Sequence, residues 1–208
     1  LRLPLCLLFE KYHKYGILIN SNIALLCQCK INNKYTMARI HYLDYDNADE
    51  KVRQAYDEQK KAAGGYVTNM KRTLLRSLPA YKALMQWYPL HDEVEKLIGK
   101  RGVSIFCHAI SSENECLLCS LFFRKDLARQ GISLENLEFT EQEKLLASFG
   151  RQIARSSTKI TDDFFELLKQ YFSEEQIVTL VGFAVLMVAT NLVNNTLDIE
   201  LDDNIKPE

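Results

Sequence analysis

The segment from residue 173 to 195 constrains this chain more than any other. Ser173-Glu174-Glu175-Gln176 has the form of a capping box, in which a serine oxygen caps the first turn of a helix and a glutamine three places on reaches back. Residues 177–193 are then mostly apolar, interrupted by Thr179, Thr190 and Asn191, and the pattern fades at Asn194-Asn195. The run is shorter than the ~20 residues a membrane-spanning helix needs. A helix that is apolar on nearly every side has to be covered, either by other helices or by another subunit. A helical bundle with no membrane span is therefore the expectation.

Similar start signals recur upstream. Thr140-Glu141-Gln142-Glu143 is a second capping box, followed by Leu145, Leu146, Phe149 and Ile153 at helical spacing. Thr161 can cap a short helix carrying Phe164, Phe165, Leu168 and Phe172. Earlier, residues 47–63 read as a charged helix with Val52, Ala55, Tyr56 and Gln59 on one face, ended by Gly64-Gly65. A second helix over 70–78 would be capped by Thr68 or Asn69 and broken by Pro79, and a third over 80–88 would stop at Pro89. From His91-Asp92 the apolar positions Val94, Leu97, Ile98, Val103, Ile105, Phe106 and Ile110 predict one or two helices around Gly99 and Gly102. Glycine and proline number only 8 and 4, which leaves room for short connections. Residues 39–43 alternate too briefly to build a sheet, so the predicted fold class is all-α. Asp198, Glu200, Asp202 and Asp203 read as a solvated tail, and Phe164, Phe165, Tyr171 and Phe172 as core or subunit contact.

With 26 basic and 27 acidic residues, the net charge of −1 gives no electrostatic reason for a nucleic acid or an anionic membrane as partner. Six cysteines are too few for a disulfide scaffold in 208 residues, and Cys6, Cys27, Cys29 and Cys107 follow no framework spacing. The apolar opening from Leu1 to Phe9 is short, carries no small-residue cleavage site and runs into Glu10-Lys11, a poor fit to a signal peptide. A reducing, cytoplasmic setting is the expectation. Residues 1–36 show no clear period, and Met37 is the first methionine. We expect residues 1–36 to be an N-terminal extension outside the domain, and residues 37–208 to be the domain itself.

Candidate chemistry centres on Glu113-Asn114-Glu115-Cys116-Leu117-Leu118-Cys119. Two cysteines at this spacing can close a disulfide, and they can equally be core filling. Ser112-Glu113-Asn114-Glu115 has capping-box form, which would put Cys116 in the first turn of a helix and Cys119 one turn on, with Gly131 ending the helix. Unpaired N–H groups there stabilise a thiolate, whereas the carboxylates of Glu113 and Glu115 oppose it.

The order of these features resembles the carboxymuconolactone decarboxylase / alkylhydroperoxidase D-like family. The matching stretches are Ala38-Arg39-Ile40-His41-Tyr42-Leu43 with the helix after it, the Cys116-Leu117-Leu118-Cys119 helix, the run from Thr161 through Phe172 to Val178, and Asn191-Leu192-Val193-Asn194-Asn195. The resemblance implies an all-helical bundle assembled as a homo-oligomer, a trimer or hexamer. It also implies peroxide or disulfide as substrate, Cys119 as the peroxidatic residue and Cys116 as the resolving one. A dithiol protein would reduce the disulfide, and no cofactor would be needed. The decarboxylase branch generally lacks the cysteine pair.

Three positions depart from the family pattern. Ser104 stands where the peroxidase branch has a glutamate, and Leu118 and Phe123 stand where it has histidines. Those residues relay the thiol proton, and leucine and phenylalanine cannot. His108 lies one helical turn after Ser104, so it is the remaining candidate for proton acceptor. A zinc site from Cys107, His108, Cys116 and Cys119 is disfavoured, because adjacent helical residues point about 100° apart. The reading is a thiol-dependent oxidoreductase with Cys119, Cys116 and His108 as its site, no metal, and the usual relay missing. The alternatives are a non-catalytic or redox-sensing oligomer, or a decarboxylase-type lyase.

Overall fold

In a computed structural model, residues 38–133 and 138–206 are described. The expected N-terminal extension, with Cys6, Cys27 and Cys29, lies outside the described residues. Met37–Ile205 forms one compact unit. Among the described residues every regular element is helical, as expected. The α-helices are α1 (Glu50–Ala62), α2 (Asn69–Leu74), α3 (Leu78–Met85), α4 (Trp87–Glu113), α5 (Leu117–Arg129), α6 (Glu141–Ser156), α7 (Asp162–Lys169) and α8 (Glu174–Leu197). Short 3₁₀ turns follow at Ser157–Lys159 and Asp203–Ile205.

α4 is the organising element, packed against α5, α6 and α8. Its C-terminal half is buried on nearly every side, through Val103, Ile105, Phe106, Cys107, Ala109 and Ile110. That enclosure explains why an apolar run with no polar face is stable as a helix. Gly99 breaks α4 with φ 70° and ψ 164°, a conformation glycine adopts without a Cβ penalty. Gly150 of α6 has a different reason. A Cβ there would sit 2.9 Å from Ile110 and 3.0 Å from Phe106, so the missing side chain is what lets α6 approach α4. An aromatic stack runs through this contact, from Trp87 to Phe183 (5.0 Å), Phe106 (6.3 Å) and Phe149 (6.3 Å).

Both expected capping boxes are present. Thr140 and Glu143 close one at the start of α6, and Ser173 and Gln176 the other at the start of α8. α8 alone among the described residues is long and apolar enough to cross a membrane by length and composition. Its inward face, with Ile177, Leu180, Phe183, Ala184 and Met187, belongs to the core, and so do the polar Asn191 and Asn194. Its outward face leaves Val178 71%, Val185 51% and Leu192 55% exposed, at heptad spacing along one side.

Several local expectations are corrected. Pro79 and Pro89 do not stop helices. α2 ends at Leu74, Pro79 lies in the first turn of α3, and Pro89 lies in the first turn of α4, where a missing N–H costs nothing. The acidic C-terminal stretch is not a solvated tail. Asp202 is buried and accepts hydrogen bonds from Tyr66 Oη (2.8 Å) and the Asn69 N–H (2.7 Å), while Glu200 accepts from Tyr42 Oη (3.0 Å). Glu200 and Asp202 are thus hydrogen-bonded to the start of α2 and the chain before it, where charge density alone suggested solvent, while Asp203 is exposed. Of the four aromatics, Phe172 is in the core, Phe164 and Phe165 pack against it, and Tyr171 is exposed.

Candidate functional site

The two cysteines lie where α4 ends and α5 begins. α4 closes with a Schellman arrangement: the Glu115 N–H donates to Ser112 O (3.2 Å) and the Cys116 N–H to Ser111 O (2.9 Å). Glu115 takes the left-handed position at φ 51°, where glycine or asparagine is usual. Cys116 then turns extended, at φ −84° and ψ 96°, and is itself the N-cap of α5. The expected capping box with Ser112 as N-cap is therefore absent. Ser112 and Glu113 are the last turn of α4, extended because the apolar period of residues 103–110 carries the helix past them.

This register changes what each sulfur meets. Cys116 and Cys119 are both free thiols, 1% and 4% exposed. Asn194, reaching in from α8, donates through Nδ2 to Cys119 Sγ at 3.1 Å and, more distantly, to Cys116 Sγ at 3.9 Å. The Cys119 thiol donating to Cys116, together with the backbone N–H groups of Cys119 and Leu118 and the Asn194 amide, lowers the Cys116 pKa against the opposing effect of burial. Cys119 goes the other way: its hydrogen bond to Cys116 and its burial push its pKa well up, and Asn194 opposes that rise. The hydrogen bond between the sulfurs and the amides at the helix start thus favour negative charge on Cys116 over Cys119. Glu113, one of the carboxylates expected to oppose a thiolate, is ion-paired with Arg155, Nε to Oε1 at 2.5 Å.

Cys119, Cys116 and Asn194 thus come together, and His108 does not join them by a hydrogen bond. The half-buried His108 has Nδ1 3.5 Å from Ser112 Oγ. Burial, and then the charges of Arg124 and Arg151, lower its pKa, which leaves a neutral imidazole at pH 7. Ser104 donates to Asp126 Oδ2 at 2.6 Å and accepts from Gln130 Nε2 at 3.1 Å. Leu118 packs against the core and Phe123 is buried within it. Cys107 is a third buried thiol, and its pKa is raised well above the usual value by burial and by the Asp126 charge. Among the described residues no group of three or more His, Cys, Asp or Glu side chains is arranged to hold a metal ion.

Sequence reasoning missed Asn194 as a site residue. It was visible only as a polar position closing an apolar helix, and nothing in that pattern says which way its amide points.

No family model matches the sequence, and no curated protein sequence matches it. Solved structures do match. One is an alkylhydroperoxidase AhpD core described as an uncharacterized peroxidase-related protein from Ralstonia eutropha JMP134. It aligns with a TM-score of 0.62 at 17% identity, over 81% of this chain and 94% of that one. An uncharacterized peroxidase-related protein from Silicibacter sp. TM1040 aligns with a TM-score of 0.64 at 14% identity, over 83% and 96%. The debrominase Bmp8, in its apo form, aligns with a TM-score of 0.63 at 16% identity, over 78% and 91%. At these identities the likeness speaks for the backbone arrangement: this chain has the alkylhydroperoxidase D-like all-helical fold.

Proposed function

We propose that this chain is a thiol-dependent oxidoreductase that uses Cys116 and Cys119 as a dithiol–disulfide couple to reduce a small peroxide. The observation that carries the reading is the pair itself: two free thiols at a helix N-terminus, touched by one amide donor. The backbone N–H groups facing Cys116 favour it as the thiolate that attacks first, the reverse of the order the resemblance implies. Its sulfur bonds to one peroxide oxygen as the O–O bond breaks, and the departing alkoxide takes a proton. Cys116 is left as a sulfenic acid. Cys119 then attacks that sulfur and expels hydroxide, which leaves as water with the Cys119 proton, and a disulfide remains. An external dithiol protein returns the pair to thiols by exchange.

Burial of both sulfurs restricts the oxidant to a small molecule or requires the 114–116 turn to open. The exposed stripe of Val178, Val185 and Leu192 supports a homo-oligomer formed through α8. The experiment is steady-state consumption of hydrogen peroxide with dithiothreitol as reductant. Turnover that vanishes in Cys116→Ser and in Cys119→Ser supports the proposal. A second reading, a redox sensor, is favoured by the same burial, which protects both sulfurs from turnover. It predicts a single oxidation event without sustained consumption.

A further inference from the structure

Helix N-terminal amides serve Cys116, and nothing comparable serves Cys119. Yet a dithiol cycle of the kind proposed above needs negative charge on Cys119 as well, at the moment that sulfur closes the disulfide. Asn194 is the side chain that meets this need. It is 3% exposed, its Nδ2 lies 3.1 Å from Cys119 Sγ against 3.9 Å from Cys116 Sγ, and its Oδ1 is buried with no hydrogen-bond partner. Leaving a buried amide oxygen unpaired is costly, so α8 carries an unfavourable group at the place where it meets the two sulfurs. A leucine of similar size would fill the space without that cost.

We propose that Asn194 is a catalytic residue of the dithiol: its amide N–H holds negative charge on Cys119, and its unpaired carbonyl accepts the O–H of the sulfenic acid formed on the neighbouring sulfur. Because Nδ2 spans both sulfurs, the donor follows the charge as it passes from Cys116 to Cys119. A neutral amide cannot take a proton, so this is stabilisation of the thiolate by hydrogen bonding and not base catalysis. The proton leaves with the departing oxygen. The assignment rests on the dithiol reading, but its test does not need peroxide turnover, so the two can fail separately.

The experiment reads the pH dependence of iodoacetamide alkylation at each cysteine by mass spectrometry, in full-length protein carrying one cysteine of the pair at a time. In the Cys116→Ser background, Asn194→Leu should move the Cys119 profile to higher pH by about one unit, a roughly tenfold loss of rate at neutral pH. In the Cys119→Ser background the same change should move Cys116 by less, since its contact is the longer one. A role in packing alone would move both profiles equally or leave them in place, and either result overturns the proposal. So does an acid shift, which would mean that the carbonyl faces the thiol. If the leucine variants do not fold, the unsubstituted protein decides: the Asn194 side-chain amide resonance should titrate with the ionisation of the pair, and an amide signal that stays fixed through that transition overturns the assignment.

Discussion

The starts of α6 and α8 and the start of α5 solve the same problem with different atoms. Each helix exposes N–H groups in its first turn that need acceptors. At α6 and α8 the acceptors are Thr140 and Ser173, and Glu143 and Gln176 complete both boxes. At α5 the N-cap is Cys116, which forms no regular capping hydrogen bond with its backbone. A hydroxyl cap contributes about 1 kcal/mol to a helix, and a neutral thiol is a weaker acceptor. Two helix starts are therefore built for stability, and the third for a sulfur whose anion is favoured. The left-handed Glu115 in front of it points the same way, since a non-glycine residue there costs about 1–2 kcal/mol.

The largest difference between these helix starts is chemical. Cys119→Ser should remove oxidant-driven disulfide formation completely while the far-ultraviolet circular dichroism stays unchanged. A variant in which Cys116 is still consumed by an intramolecular disulfide would show that Cys119 is not a member of the couple.

Next comes alkaline stability. Burial and the Asp126 charge hold the Cys107 thiol protonated in the folded chain, whereas an unfolded thiol ionises near about pH 8.5. The folded state then binds the extra proton, so Cys107 contributes full stability below that pH and loses it as pH rises. The slope is at most about 1.4 kcal/mol per unit for one group. Cys107→Val should flatten the alkaline arm of a urea-denaturation series by that amount, and an unaltered arm would contradict its burial.

A smaller effect compares the caps directly. Ser173→Ala should cost about 1 kcal/mol and leave cysteine alkylation as it was. Cys116→Ser should cost nothing or raise stability by a few tenths of that, because a hydroxyl suits the N-cap better. Thermal melts of the two variants check the contrast, and equal destabilisation would remove it.

Smallest of all is His108→Phe, which we expect to change the alkylation rate of either sulfur less than about twofold, since a hydrogen bond to Ser112 and two arginines define its surroundings. A large drop, measured with iodoacetamide at neutral pH, would support His108 as the proton acceptor.

What was legible in the sequence follows from the same physics. The capping boxes at Thr140 and Ser173 and the Gly64-Gly65 and Gly131 stops are local signals, and these stand. The register of α4 and α5 was not legible. Ser112-Glu113-Asn114-Glu115 matches a capping box in isolation, but burial on nearly every side of residues 103–111 extends α4 through it, and a Schellman turn with glutamate in the glycine position carries no sequence mark. The proline positions were ambiguous for a similar reason, since the same residue stops one helix or starts the next. The cysteine pair was legible by spacing. Its Asn194 partner was not, because a contact spanning 75 residues of chain leaves no local pattern. Nor was the inward turn of Asp202, whose partners Tyr66 and Asn69 lie far upstream.

The central claim, that Cys116 and Cys119 form one redox couple, is tested most directly by peptide mapping after treatment with one equivalent of hydrogen peroxide. A peptide carrying Cys116 and Cys119 should lose both labels and gain an internal disulfide, and dithiothreitol should restore both thiols. Two freely labelled cysteines, or separate irreversible oxidation of each, would contradict it.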